Sequence, residues 1–244
     1  MSKSVLILGA LSDVGTALAR RFAQSGHSVV VAARQTEAAQ NLAADIAIRY
    51  GTAAKAVYFD ALAYDSHADF WAQLSPQPDI VIAVFGYLGN QEEAARNFAE
   101  AQRIIHTNYT GAVSILNIAA QSMEQAKSGC IVGISSVAGE RGRQSNYIYG
   151  SAKAAFTAYL SGLRNRLAHS GVHVLTVKPG FIATKMTEHL NLPPLLTASP
   201  QQVAEDIFRA VQRRRNVIYT LWMWRWIMLI IKLIPEGIFK RLKM

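Results

Sequence analysis

Short runs of β-branched and other apolar residues alternate along the chain with longer stretches whose apolar positions recur every three to four residues. The runs fall at 5–8, 28–32, 56–59, 80–84, 130–134, 172–177 and 217–219. The amphipathic stretches fall at 15–25, 37–50, 66–74, 97–125, 149–169 and 200–214. Near-continuous apolar runs predict strands covered on both faces, and the helical crossovers between them make those strands parallel. The expected fold class is therefore α/β: a single domain built on a doubly wound, Rossmann-like parallel sheet with helices on both faces. Residues 1–220 carry this alternation. Residues 185–199 contain Pro193-Pro194 and few regular signals, and are expected to form a loop over a substrate. From Leu221 to the end at 244 the composition changes to an apolar, Trp-rich, basic tail.

With 244 residues, 51% of them apolar and 17% charged, the chain has the size for one sizeable core and too little charge for disorder. Its one cysteine, Cys130, sits inside an apolar run. No disulfide can form within the chain, which fits a reducing compartment, and a buried inert thiol is expected. The N-terminus runs straight into the first strand, too short an apolar stretch for a signal peptide, so a cytoplasmic location is expected. The net charge of +9 is uneven. From Arg213 onward eight cations, Lys243 among them, stand against Glu236 alone, leaving the rest near neutral. That distribution argues against a nucleic-acid partner. His106, His169, His173 and His189 have no ligand spacing, and no metal is expected.

The chemistry centres on Tyr149-Gly150-Ser151-Ala152-Lys153. Residues four apart on a helix project from one face. A phenol with a reference pKa of roughly 10 is a poor acid at neutral pH, and a neighbouring ammonium is expected to pull it down. Ser136 precedes the tyrosine by one loop and offers a hydroxyl to a substrate oxygen. Between the first strand and first helix lies Gly9-Ala10-Leu11-Ser12-Asp13-Val14-Gly15. Gly9 permits a tight turn, Gly15 permits close packing, and the helix N-terminus offers free N–H groups to a pyrophosphate. Arg34 ends the second strand, where a cation is either solvated or accommodates a ribose 2′-phosphate. Asp60 follows the third strand as a turn residue or an adenine contact.

In order, Gly9/Gly15, Asp60, Gly86, Asn108, Ser136, Tyr149/Lys153 and Pro179/Gly180 resemble the motif series of the short-chain dehydrogenase/reductase family, over roughly residues 4–220. The resemblance implies an NAD(P)-dependent oxidoreductase that passes hydride to a ketone, with NADP expected from Arg34 and NAD possible. It implies Ser136, Tyr149, Lys153 and Asn108 as the catalytic set, with Asn108 supporting a proton relay through water. It also implies that Gly9, Ser12, Asp13, Val14, Gly15, Arg34, Asp60, Gly86, Lys153, Pro179, Gly180, Ile182 and Thr184 face the cofactor. Thr184 is equally well placed as a helix N-cap. Homo-oligomers through the long helices beginning near Asn97 and Tyr149 follow from the resemblance as well.

Two positions depart from the family pattern. Asp13 replaces its middle glycine, and is expected to cap the first helix; Ala83-Val84-Phe85-Gly86 retains only the glycine of the fourth-strand motif. A cofactor-binding scaffold or redox sensor on the same fold is the competing class, which the intact catalytic set disfavours.

More narrowly, the segments Gly139-Glu140-Arg141-Gly142-Arg143-Gln144-Ser145-Asn146-Tyr147 and Pro179-Gly180-Phe181-Ile182-Ala183-Thr184-Lys185-Met186-Thr187-Glu188, with the tail, are similar to reductases of the decaprenylphosphoryl-2-keto-ribose type. That implies a lipid-linked sugar ketone as substrate. Arg141 and Arg143 are expected to be solvated loop charges rather than phosphate contacts. The tail's apolar run ends at Pro235, well short of the roughly 20 residues a membrane span needs. Its tryptophans and cations favour a membrane-surface role, peripheral on the inner face, over packing on the domain.

Overall fold

The computed structural model describes residues 2–188 and 191–242; His189, Lys243 and the end of the tail lie outside them. In chain order the elements are β1 (Ser4–Leu8), α1 (Asp13–Gln24), β2 (Ser28–Ala33), α2 (Thr36–Tyr50), β3 (Ala54–Tyr58), α3 (His67–Ala72), β4 (Ile80–Ala83), α4 (Gln91–Ala94), α5 (Phe98–Ile105), α6 (Gly111–Gln125), β5 (Gly129–Ile134), α7 (Tyr147–Leu167), β6 (Val172–Pro179), β7 (Phe181–Ile182), β8 (Thr197–Ala198), α8 (Pro200–Gln212), β9 (Val217–Thr220), α9 (Met223–Leu233) and α10 (Glu236–Phe239).

Seven strands form one sheet in the order β3-β2-β1-β4-β5-β6-β9, every pair parallel. Alternate side chains of each strand enter opposite cores. Val5, Ile7, Val29, Val31, Ile80 and Ile82 pack under α1, α2 and α8. Leu6, Leu8, Val30, Val81, Ile131 and Val174 pack under α3, α6 and α7. The chain reverses its winding between β1 and β4, and this switch point opens a crevice at the C-terminal strand ends, where ligands bind in open α/β sheets.

Two differences from the periodicity bear on the site. The helix expected over 97–125 is interrupted by a π-helical turn at His106–Thr110. Its cause is Asn108, whose side-chain amide donates to the Ile104 carbonyl at 2.8 Å and so occupies an acceptor of the regular ladder. Helix α7 begins at Tyr147 rather than Tyr149, because the Gln91 side chain accepts the orphan N–H of Ile148 at 3.0 Å.

The tail packs on the domain through one of its faces. Trp224, Met228 and Ile231 of α9 are buried against Val137, Phe181 and Leu196. Arg141 Nη1 donates to the carbonyls of Ile231, Lys232 and Ile234 at 2.7–3.0 Å, satisfying the C-terminal end of α9. Arg141 also pairs with Glu236 and lies 3.8 Å from the Phe239 ring centroid. Arg143 is half-buried beside Met228, and desolvation lowers its pKa. Neither arginine is the solvated loop charge expected from sequence. The sequence gives no sign that the tail would fold back on this loop. Among the described residues no helix is long and apolar enough to cross a membrane.

Candidate active site

The crevice comprises two adjoining cavities of about 580 and 240 Å³ that share Leu11, Ser12, Val84, Phe85, Gly86 and Met186. Gly9, Arg34 and Asp60 line the larger. Asp13, Val14, Ser136, Tyr149, Lys153, Pro179, Gly180, Ile182 and Thr184 line the smaller. Gly15 and Asn108 line neither.

At the glycine turn, Gly9 adopts φ +91° and Gly15 packs so closely on the Gly9 carbonyl that a Cβ would overlap it. The N-cap of α1 is Ser12, whose hydroxyl accepts from Gly15 N at 3.1 Å. Asp13 therefore does not cap the helix. It occupies the first helical position, and its Oδ2 accepts the Lys185 N–H at 2.9 Å, tying the glycine turn to the loop after β7. The N–H groups of Asp13 and Val14 have no acceptor among the described residues, which fits a pyrophosphate at this helix end.

Asp60 Oδ1 accepts from Leu62 N at 3.0 Å, so it makes its turn while also lining the larger cavity. Buried His67 holds that turn by bonding the Asp60 carbonyl and the Ser114 hydroxyl. Thr184 opens a short turn closed by the Thr187 side chain rather than capping a helix.

Tyr149 packs beside Tyr87 and Ile148 on a small cluster formed by Ala94, Ala101 and Ile104, and it lines the smaller cavity together with Ser136. Burial pushes the phenol up to about 12, and the nearby Ser136 hydroxyl pulls the other way. The expected lowering by Lys153 is not what governs it. Burial carries the lysine down to about 8, weakening it as a cation, and its Nζ lies 5.7 Å from the Tyr149 ring centroid. That Nζ donates to the Ile134 carbonyl at 3.0 Å. Ser135 locks the lysine's helix to β5 by donating to the Lys153 carbonyl at 2.9 Å.

Asn108 is buried, its Nδ2 donating to Tyr87 O at 2.6 Å and its Oδ1 accepting from Tyr87 N at 3.2 Å. It thus fixes the chain beyond Gly86, which separates the amide from Lys153: a Cβ at 86 would meet Asn108 Oδ1 at 3.0 Å and Lys153 Nζ at 3.6 Å. That gap suits a water between the two.

Sequence reasoning missed several wall residues. Tyr87, Arg103 and Thr107 line the larger cavity, with the Arg103 guanidinium stacked 4.2 Å from the Tyr87 ring centroid. Arg103 and Thr107 are four apart and share one face of the expected helix, a signal legible in the sequence. Cys130 is buried and its thiol is pushed up to about 12 by desolvation. Among the described residues no three metal-capable side chains converge.

A family model described as short chain dehydrogenase matches residues 3–194. An uncharacterized oxidoreductase of Mycobacterium tuberculosis is 35% identical over 241 residues, spanning 98% of this chain and 96% of that protein. One from Streptomyces coelicolor is 33% identical over 246 residues, with the same two shares. The solved structure of a short-chain dehydrogenase from Sphingobium yanoikuyae in complex with NADPH superposes with a TM-score of 0.83 at 25% identity, covering 98% of this chain and 96% of that one. With the family model matched over most of its length and relatives aligned from end to end, the chain belongs to the short-chain dehydrogenase family and is an NAD(P)-dependent oxidoreductase.

Proposed function

We propose that the protein is an NADPH-preferring reductase in which Tyr149 is the proton donor to a ketone oxygen. One observation carries the reading: Ser136, Tyr149 and Lys153 face a single small cavity, and that cavity continues into the one lined by the glycine turn and Arg34. The cofactor, when bound, supplies the hydride to the carbonyl carbon. Ser136 holds the carbonyl oxygen against Tyr149 Oη, which gives up its proton as charge develops on that oxygen. Lys153 binds the nicotinamide ribose and stabilises the resulting phenolate. Asn108 would support a water at Gly86, through which solvent returns a proton toward Lys153 and from there to the phenolate. Arg34 pairs with the 2′-phosphate, and the N–H groups of Asp13 and Val14 receive the pyrophosphate. The long helices beginning near Asn97 and Tyr149 are the surfaces this reading assigns to homo-oligomer contacts.

For the substrate, the reading places the ketone on a lipid-linked sugar. Support comes from the similar segments around Arg141 and Lys185, and from exposed Met186, which lines both cavities. The test is NADPH oxidation with a panel of ketones that includes polyprenyl-phosphate keto-sugars and their water-soluble sugar counterparts. Steady turnover with the lipid-linked member, and much less with the soluble sugar, is the expected result. Binding of NADPH without turnover of any ketone would point instead to a cofactor-binding sensor.

A further inference from the structure

Helix α9 is apolar on two opposite sides. Its inward side, Trp224, Met228 and Ile231, is buried against the domain. Trp222, Trp226, Leu229, Ile230 and Leu233 recur at i, i+4, i+7, i+8 and i+11, which puts them on one stripe facing away from that core. Trp222 and Leu233 are 72% exposed and Ile230 65%. Ile238 and Leu242 continue the exposed apolar surface beyond α9. Packing on the domain therefore leaves this side unaccounted for, and an apolar patch of this extent on a folded protein marks a contact surface.

The charges around the stripe select the contact. Arg225, Lys240 and Arg241 are exposed on the same segment, while Lys232 is paired with Glu140 at 3.0 Å. Its one acid among the described residues, Glu236, is paired with Arg141. A two-fold contact between copies of this face would set these cations against their own counterparts, with no free carboxylate to answer them. An anionic lipid surface answers them directly, and tryptophan beside arginine and lysine is the composition of the headgroup boundary.

We infer that the outward stripe of α9 and α10 is a peripheral docking surface for anionic membranes. The helix lies in the interfacial plane with Trp222, Trp226, Ile230 and Leu233 among the acyl chains and Arg225, Lys240 and Arg241 at the headgroups. Because the opposite side of the same helix rests on Phe181 and Leu196, the loop over the crevice is held about one helix diameter, ~10 Å, from the lipid. This surface is independent of the catalytic assignment.

The test is co-sedimentation of the full chain with vesicles of phosphatidylcholine alone and of phosphatidylcholine with phosphatidylglycerol, at low and high salt. Removing the tail at Thr220 is unsuitable, since it would strip Trp224 from the domain. Two variants keep the buried side intact: Trp226→Ser/Ile230→Ser/Leu233→Ser, and Arg225→Gln/Lys240→Gln/Arg241→Gln. Each is first checked for an unchanged thermal transition and unchanged NADPH binding. The wild type is expected to pellet with anionic vesicles and to be released by salt. The charge variant should partition about a hundredfold more weakly, and the apolar variant should stay in the supernatant. Equal recovery of wild type in the supernatant with and without anionic vesicles at low salt would overturn the inference. So would a wild-type oligomer in lipid-free sedimentation velocity that the apolar variant dissociates, because that would make the stripe a contact between copies.

Discussion

Trp224 lies against the backbone of Gly180 so closely that a Cβ at position 180 would fall inside the indole ring. The indole Nε1 donates to the Leu196 carbonyl at 3.1 Å, and Phe181 meets the ring edge-on at 5.2 Å between centroids. One side chain of the tail thus fixes both ends of the loop that covers the crevice. Trp224→Ala should destabilise the protein by about 3–5 kcal/mol. Gly180→Ala should cost about 1–3 kcal/mol or more through overpacking. Urea denaturation measures both, and values near zero would mean that the tail does not dock as described.

Asp13 joins the glycine turn to the loop through Lys185 N, and it stands beside the N–H groups offered to pyrophosphate. Asp13→Asn keeps an acceptor and removes the charge, so it should bind NADPH more tightly with little change in KM for the ketone. Asp13→Ala should also free the loop and raise that KM. Cofactor titration and steady-state kinetics on the two variants separate the electrostatic role from the tether.

Arg34 lines the larger cavity at the end of β2, where no carboxylate competes for a ribose hydroxyl. A charge-assisted contact to phosphate contributes about 1.5–3 kcal/mol, so NADPH should be preferred over NADH by roughly ten- to a hundredfold. Arg34→Ala should erase that preference and leave the kinetics with NADH alone. Equal KM values for the two cofactors in the wild type would contradict the assignment.

Lys153 is lowered to about 8 by burial, against roughly 10.4 in an unfolded chain. Between those values the unfolded state holds the additional proton, so stability should rise with pH across this window. The destabilisation is full below about pH 8 and fades toward pH 10. Lys153→Met should therefore stabilise the cofactor-free protein at neutral pH by about 1–3 kcal/mol while abolishing turnover. The stability gain should shrink as pH rises. A variant less stable than wild type at neutral pH would show that the bond to Ile134 outweighs the burial of charge.

What the sequence reveals follows the range of the forces involved. Strand and helix periods, and the spacing of Tyr149 and Lys153 on one helical face, are local and are carried by neighbouring residues. Gly9, Asp60, Gly86, Ser136 and Gly180 follow strand ends, so the topology alone gathers them at one edge of the sheet. Asp13 follows Ser12, a residue equally suited to cap the helix, and its acceptor role depends on Lys185, far along the chain. The role of Arg141 is equally non-local, since the carbonyls it serves lie at the end of α9. Gly180 looked like part of a Pro-Gly motif, and nothing nearby shows that an indole makes its missing side chain necessary. The π-helical turn at Asn108 is likewise decided by a side-chain bond that competes with the helix, which periodicity does not register.

The central claim is that the Tyr149 phenol supplies the proton that accompanies hydride transfer. It is tested most directly by Tyr149→Phe, which removes only the hydroxyl from a ring seated among Tyr87, Ile104 and Ile148. Single-turnover oxidation of NADPH with a good ketone is compared between wild type and variant, with NADPH affinity measured in parallel. The account predicts unchanged folding and NADPH affinity, with hydride transfer slowed by at least roughly 10²–10⁴-fold. A variant that transfers hydride at the wild-type rate would contradict it.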